Sequence, residues 1–233
     1  MFMTGVKHTM IEIAQAGQAG KTGLLFDMHR LRARVFKDTL KWDVEVDHDG
    51  LETDRFDIPE AVYLLALNKQ MRVIGGWRLL STTGPTMIRD IWPQYMDSLP
   101  MPVDKNIFEV SRFAVHSPEA DPQEAARQTQ QAVGEMFCAM TELCLMTGIK
   151  EIFTLYDERI AKVISRIDCH PYKTSVQIPI NGMNCQTGVF KMDQDMLKRL
   201  RAATGVAQNL ITNIDLPPAV VRRLSQKQAG GAL

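Results

Sequence analysis

The chain has 233 residues, of which 45% are hydrophobic, and this suits one large domain or one domain with tails. Lysine plus arginine equals aspartate plus glutamate at 27 each, so no overall charge attracts nucleic acid or an anionic membrane, and we expect neither as a partner. The four cysteines lack metal-type spacing and residues 1–20 lack the apolar stretch of a signal peptide, so we expect a cytoplasmic protein without a metal.

The first half of the chain predicts a helix and then a hairpin. Apolar residues recur at helical intervals over residues 25–40, and the acidic segment 43–59 is typical of a loop. Strand patterns at 63–67 and 72–80 predict an antiparallel hairpin. Residues 82–102 contain several prolines and should be mostly irregular.

The second half predicts alternating strands and helices. A strand is centred on Val110, and a long helix begins at Asp121 with Pro122 and ends at Gly148. A strand at 151–156, a short helix at 158–167, strands at 173–180 and 187–192, and a helix at 194–203 follow. The predicted fold is a mixed, mainly antiparallel sheet flanked by helices, an α/β sandwich over residues 1–205, with 206–233 as a loosely held C-terminal tail.

Six charged residues stand among strand-like and aromatic sequence, where charge is costly. They are three cations and three anions: Arg32, Arg78, Arg112, Asp54, Asp57 and Glu109. Charges in such runs are buried only when they pair or bind something, and a neutral cluster lining a cleft suits a zwitterionic substrate. A simpler interpretation is three unrelated surface salt bridges.

Several motifs, taken in order, resemble those of the acyl-homoserine-lactone synthases, the bacterial autoinducer synthases. They are Met28-His-Arg-Leu-Arg-Ala-Arg-Val-Phe-Lys37 with Trp42-Asp-Val, Glu52-Thr-Asp-Arg-Phe-Asp57, Gly75-Gly-Trp-Arg-Leu-Leu80, Thr82-Thr-Gly-Pro85 and Glu109-Val-Ser-Arg-Phe113. The resemblance runs from about Leu25 to Gly205. It implies a fold related to the GCN5-related N-acyltransferases. The implied reaction acylates the amine of S-adenosylmethionine from an acyl-carrier-protein thioester, then closes the lactone and releases methylthioadenosine.

The resemblance also implies roles for the charged and aromatic residues. Glu109 is the candidate base that takes the proton of the amine, or else it only anchors an arginine. Asp54 and Asp57 would hold a cationic group or Arg32, whereas Arg78 and Arg112 would fix the loop and the sheet. Phe36 and Trp42 would close over the adenosyl group or the sulfonium, or else they are core aromatics.

For the acyl donor, the segment 127–132 lacks the glycine-rich turn with which acetyl-CoA-dependent relatives bind pyrophosphate, and this favours acyl carrier protein. Lys162 and Arg166, with Lys150 nearby, match the family's docking positions for this acidic partner, or else form an ordinary solvated surface. Thr154 matches a position where threonine accompanies 3-oxoacyl chains. Met136 and Met140 supply packing compatible with an apolar tunnel, or else are core.

Two other functions stay open. A related N-acyltransferase that acylates a different amine would share the fold, and fold alone does not exclude it. A non-catalytic module that binds carrier protein would keep the basic helix but would not need Glu109 or Asp54. No separate cofactor is expected, because S-adenosylmethionine is a substrate.

Overall fold

Eight strands form one sheet in the computed structural model of the chain, in which residues 9–212 and 216–230 are described. The strand order is β1-β2-β3-β4-β5-β8-β6, and β7 also pairs with β8. The strands are β1 Met10–Gln15, β2 Val62–Leu67, β3 Val73–Ser81, β4 Ile107–Val115, β5 Glu151–Asp157, β6 Lys173–Thr174, β7 Ile178–Ile180 and β8 Met183–Lys191.

Helices cover both faces of this sheet. They are α1 Thr22–Arg32, α2 Met87–Ile91, α3 Pro122–Thr147, α4 Glu158–Arg166, α5 Gln194–Thr204 and α6 Pro218–Gly230. The predicted ends of α3 are confirmed, since the side chain of Asp121 accepts the N–H of Gln123 and Gly148 follows the helix at a φ of 74°. None of the helices in the described residues is long and apolar enough to cross a bilayer.

Two glycines of β3 let the helices approach the sheet from opposite faces. A Cβ built on Gly75 would lie 2.5 Å from the sulfur of Met136 in α3, and one on Gly76 would lie 2.9 Å from Cγ of Met28 in α1. Packed methionine side chains therefore occupy the space that these two glycines leave. The α/β sandwich predicted from the sequence is confirmed.

Strands β4 and β5 separate after a short parallel pairing. They pair only over residues 107–109 and 151–153, whereas the other pairs among the eight described strands are antiparallel. Just beyond, Ser111 lies opposite Arg78 and Ala114 opposite Gly76, so β4 carries one more residue than β3. Arg112 at this bulge has a φ of 58°, unusual for a residue with a side chain. Because a bulge bends its strand, β4 turns away from β5 here.

Several predicted elements differ from those observed. The predicted helix over 25–40 is α1 followed by a π-helical turn, Ala33–Thr39. The predicted irregular segment 82–102 contains α2 and the 3₁₀ turn Pro93–Tyr95. The predicted strand 173–180 is two short strands, and the sequence did not predict β1.

Part of the predicted tail packs against the domain. Val206 and Leu210 are buried in the main core, and the buried carboxylate of Glu142 accepts the N–H groups of Leu210 and Ile211 at 2.8 and 3.1 Å. Further on, the N–H of Ala219 donates to Gln15 at 3.1 Å. These residues are not loosely held, because they supply apolar surface and hydrogen bonds to the core; residues 213–215 and 231–233 of the predicted tail lie outside the described residues.

Candidate active site

A cavity of about 520 Å³, which we call the larger cavity, lies where β4 and β5 separate. The two strands form one wall, and α2, α4, the π-helical turn and the β7–β8 hairpin supply the others. Most of its lining is apolar, with acidic groups at Asp43, Glu109 and Asp157 and cations at Arg112 and Arg159. A mostly apolar cleft with a few polar groups is typical of a small-molecule site.

A second, smaller cavity of about 80 Å³ adjoins the first. Trp77, Phe113 and Phe137 enclose it with rings whose centroids lie 4.7 to 5.8 Å apart. Six residues line both cavities, and we call them the shared wall: Ser111, Arg112, Phe113, Leu155, Tyr156 and Ile160. The shared wall makes the two cavities adjacent parts of one site.

An ion cluster of six side chains lies beside the larger cavity. Its members come from α1, the loop before β2, β3 and β4: Arg32, Glu52, Asp54, Asp57, Arg78 and Arg112. Three cations face three anions, so the cluster is formally neutral. The side chains of Arg32 and Arg78 are fully buried, and the most exposed member is Asp54 at 16%.

Each arginine of the ion cluster is shared between at least two carboxylates. Arg32 bonds through Nε to Glu52 and through Nη1 to Asp57 Oδ1 at 2.7 Å. Arg78 donates to Asp54 at 2.6 and 3.1 Å and to Asp57 at 2.8 Å. Nη2 of Arg112 lies 2.7 Å from Asp54 and 3.2 Å from Glu52. Since two partners compensate each buried charge, the cluster ties four separate elements together.

The pairing outweighs burial for the acids of the cluster. Burial alone would raise the pKa of Asp57, but the charges of Arg32 and Arg78 hold it well below the usual range. Burial likewise opposes the lowered pKa of Asp54, which the hydrogen bonds and charge of Arg78 produce. Both carboxylates are ionised at neutral pH.

The structure brings together five of the six charged residues predicted to cluster. Glu52 takes the place expected for Glu109; its signal in the sequence was its position in the same acidic motif as Asp54 and Asp57. The arrangement does not fit the alternative of three unrelated surface salt bridges, because these ion pairs are buried and share partners. Of the cluster, only Arg112 lines the larger cavity, so the other five members brace the site from behind.

Glu109 lines the larger cavity apart from the ion cluster, and no arginine forms an ion pair with it among the described residues. Its two carboxylate oxygens accept the N–H groups of Met87 and Ile88, at 2.9 and 2.7 Å, at the start of α2. Burial raises the pKa of Glu109 to about 7, although these two hydrogen bonds and the charge of Arg78 act in the opposite direction. The carboxyl group is therefore poised to take or release a proton near neutral pH.

Phe36 and Trp42 form an aromatic wall of the larger cavity. Their rings stack with centroids 5.0 Å apart and planes 4° from parallel, and the guanidinium of Arg112 lies 5.6 Å from the Phe36 centroid. The bend of the chain that pairs the rings is fixed by the N–H of Trp42, which donates to the Phe36 carbonyl at 2.9 Å. The pair presents an aromatic surface to the cavity.

The structure separates the residues predicted to bind the acyl group. Thr154 and Met140 line the smaller cavity together with Phe137. Met136 lines neither cavity, because its sulfur fills the space above Gly75. Met136 therefore packs against β3 and does not line a tunnel for the acyl chain.

The three lysine and arginine residues predicted to dock a carrier protein are exposed. Lys162 and Arg166 lie one turn apart on α4, and Lys150 lies in the turn before β5. Neither Lys162, Arg166 nor Lys150 forms an ion pair within the described part of the chain. Arg159, on the same helix, pairs with its N-cap, Asp157.

The sequence did not single out Ser111, although it lies within a recognised motif. Ser111 belongs to the shared wall, and its Oγ accepts a hydrogen bond from Nε of Arg78 at 3.2 Å. Met87 was also missed; its sulfur accepts from Nη2 of Arg78 at 2.8 Å, while its N–H donates to Glu109. Met87 therefore connects the ion cluster to Glu109.

Comparison with known proteins identifies the family. A model described as autoinducer synthase matches residues 19–201. A probable acyl-homoserine-lactone synthase from Sinorhizobium fredii (strain NBRC 101917 / NGR234) is 30% identical over 203 residues, covering 87% of this chain and 97% of that protein. An acyl-homoserine-lactone synthase from Rhizobium radiobacter is 32% identical over 176 residues, covering 76% of this chain and 82% of that protein.

Solved structures show the same fold. The synthase LasI is similar with a TM-score of 0.71 and 26% identity, covering 87% of this chain and 99% of that one. The CoA-dependent acyl-homoserine lactone synthase BjaI, with SAM and isopentyl-CoA, has a TM-score of 0.74 at 24% identity, covering 92% and 98%. An N-acyl amino acid synthase from uncultured soil microbes, FeeM, has a TM-score of 0.50 at 14% identity, covering 84% and 95%.

The chain belongs to the autoinducer synthase family, and the resemblance of its motifs is confirmed. It is thus an enzyme of an acyl-transferring family, with the fold that N-acyl-transferring enzymes share.

Proposed function

We propose that the protein makes N-acyl-homoserine lactones from S-adenosylmethionine and a 3-oxoacyl thioester of acyl carrier protein, releasing methylthioadenosine. One observation carries the proposal: a cavity that holds a carboxyl group titrating near pH 7 and a stacked aromatic pair adjoins a smaller apolar cavity across a shared wall. The larger cavity, with its few charged groups and its aromatic pair, suits an adenosyl substrate, and the smaller suits a hydrocarbon chain.

S-adenosylmethionine fits the larger cavity by its charges and its ring. The aromatic wall of Phe36 and Trp42 offers a face to adenine or to the sulfonium cation. Arg112 is the member of the ion cluster that lines this cavity, and we assign its guanidinium to the substrate carboxylate. A related structure supports this assignment, since BjaI has been solved with SAM.

Glu109 takes the proton of the attacking amine. A free amine is needed to attack the thioester carbonyl, and a base works best when its pKa lies near the operating pH. Each carboxylate oxygen of Glu109 uses one lone pair on a backbone N–H and keeps another for the amine or a water. The same two N–H groups fix the carboxylate in place, which favours a near-attack geometry.

The acyl chain enters the smaller cavity. Its lining is almost wholly apolar, and Thr154 on β5 supplies a hydroxyl there. A hydroxyl can donate to the oxygen at the third carbon of a 3-oxoacyl chain, and this supports that class of donor.

Acyl carrier protein is the proposed donor because α4 presents Lys162 and Arg166 to solvent without acidic partners among the described residues. An acidic partner is attracted by such a pair. The related synthase BjaI is CoA-dependent, so acyl-CoA is the donor to compare with acyl carrier protein.

The test is a product assay with purified protein, S-adenosylmethionine and matched donors, namely 3-oxoacyl thioesters of acyl carrier protein and of CoA. We expect methylthioadenosine and an acyl-homoserine lactone, with a higher kcat/KM for the carrier-protein donor. Free thiol with an open-chain acyl amine and no lactone would mean that the chain acylates another amine or stops after acylation. A higher kcat/KM for acyl-CoA would overturn only the choice of acyl carrier protein as the donor.

A further inference from the structure

Ser111 occupies the boundary between the two cavities. It lies on β4 opposite Arg78 in the β3–β4 register and belongs to the shared wall. Its Oγ accepts a hydrogen bond from Nε of Arg78 at 3.2 Å. Arg78 is itself held in place, because Asp54 and Asp57 accept hydrogen bonds from its other nitrogens and its side chain is fully buried.

The hydrogen bond from Arg78 fixes the chemical role of the Ser111 hydroxyl. A guanidinium is always protonated and only donates, so the serine oxygen is the acceptor in this bond. A hydroxyl has one proton and two lone pairs, and the proton of Ser111 is therefore directed elsewhere. Among the described residues, no protein acceptor takes that proton. A substrate bound against Ser111 in the two cavities can supply this acceptor.

The reacting carbonyl belongs at this boundary. The amine lies by Glu109, which lines only the larger cavity, whereas the third acyl carbon lies by Thr154, which lines only the smaller one. The thioester carbonyl is bonded to the amine in the transition state and stands two carbons before the 3-oxygen. The thioester carbonyl must therefore lie at the shared wall, to which Ser111 belongs.

We infer that the Ser111 hydroxyl donates a hydrogen bond to the thioester carbonyl oxygen and stabilises the oxyanion formed there; this rests on the function proposed above. In the step, the amine nitrogen forms a bond to the carbonyl carbon and the carbonyl electron pair moves to oxygen. The nitrogen attacks as the free amine and releases one of its two protons to the ionised Glu109 as the N–C bond forms. When the oxyanion collapses, the C–S bond breaks and the leaving thiolate takes that proton.

Other polar groups of the shared wall are less suited to this role. The hydroxyl of Tyr156 accepts from Gln186 and would lie 3.1 Å from a Cβ on Gly188, so it is turned onto β8. Nη2 of Arg112 is engaged by Asp54 and Glu52, and the remaining donors of its guanidinium are assigned above to the substrate carboxylate. A nucleophilic role for Ser111 does not fit either, because its oxygen accepts from a cation and no described base takes its proton.

The test compares Ser111→Ala with wild type in thiol release and methylthioadenosine formation. Removing one oxyanion donor should lower kcat about 100-fold. The Kd for S-adenosylmethionine by calorimetry and the KM for the donor should stay within about twofold, because the bond is strongest in the transition state. Ser117→Ala is the matched control, since that buried serine donates to Gln128, accepts from Glu119 and lines neither cavity; its kcat should match wild type.

Three results would overturn the inference: Ser111→Ala turnover within about twofold of wild type, a parallel loss of kcat and S-adenosylmethionine affinity, or an acyl group on Ser111 by intact mass. Should Ser111→Ala not fold, Ser111→Cys keeps the size with a weaker donor and should show a kcat below wild type; full activity there also overturns the idea. A wild-type protein that forms no lactone would instead refute the proposed function.

Discussion

Arg78 holds Asp54 through two parallel hydrogen bonds, from Nη1 to Oδ1 at 2.6 Å and from Nη2 to Oδ2 at 3.1 Å. This fork joins β3 to the acidic loop before β2, and the same guanidinium also reaches Asp57, Ser111 and Met87. One buried side chain thereby ties the acidic loop to two of the elements that line the larger cavity, α2 and β4.

Arg78→Lys should destabilise the protein by about 2–3 kcal/mol, because an ammonium keeps the charge but cannot reproduce the fork. The measurement is urea unfolding followed by circular dichroism. Arg127→Lys is the control, since its partner Glu124 is exposed and the pair should contribute little. Equal midpoints for the two variants would contradict a bracing role for the ion cluster.

Turnover of the wild type should rise as pH increases through about 7, the value to which burial raises the pKa of Glu109. The inflection near 7 should disappear in Glu109→Gln, whose kcat should also be lower because the base is gone. The measurement is kcat against pH with saturating substrates. An unchanged inflection in Glu109→Gln would assign it to another group.

Stability gives a second readout for Glu109, with the sign set by its raised pKa. Between the usual glutamate range and about 7, the folded protein binds a proton that the unfolded chain has released, so stability falls as pH rises through this window. Glu109→Gln should lose that slope. The amide also accepts only one of the N–H groups of Met87 and Ile88, which costs about 1–3 kcal/mol.

Charge reversal of Lys162 and Arg166 to glutamate should raise the KM for the carrier-protein donor and weaken its dependence on salt. Long-range attraction to an acidic partner is lost, whereas kcat at saturating donor should change less. The measurement is initial rate against carrier concentration at low and high salt.

Lys198→Glu is the control for α4, since Lys198 is an exposed cation on α5 that pairs with Asp195. Its KM should stay near wild type. An unchanged KM in the α4 variant at low salt would remove this helix from the docking surface and favour a CoA donor.

Thr154→Val should lower activity with 3-oxoacyl donors relative to unsubstituted donors of equal length. Valine keeps the shape but removes one hydrogen bond, whose loss should shift the preference by roughly two- to tenfold. Competition between the two donors in one reaction measures the ratio directly. Equal losses for both donors would make Thr154 a packing residue.

Periodic patterns in the sequence predicted most of the sheet and the long helix α3. They missed β1, because Glu12 and Gln15 interrupt its apolar pattern; both are buried, with hydrogen bonds that involve Lys21, Pro59 and Ala219. They missed α2 as well, since the N–H groups at its start are satisfied by Glu109, 21 or more residues away. Such long-range partners leave no periodic signal.

The site was predicted as a set of residue types and not as a network. Motif spacing identified Arg32, Asp54, Asp57, Arg78 and Arg112, but spacing does not tell which acid meets which arginine when the partners come from separate elements. For this reason the prediction included Glu109 in the ion cluster and omitted Glu52. The role of Ser111 depends on a single hydrogen bond from Arg78, which only the register of β3 with β4 creates.

The ion cluster also constrains how the sequence can change over evolutionary time. Every arginine pairs with at least two carboxylates, so replacing any one member leaves opposite charges buried and uncompensated. Viable intermediates between this cluster and an apolar alternative are therefore scarce, and several substitutions would have to arise together. Selection can retain such a set even where most of its members never meet substrate.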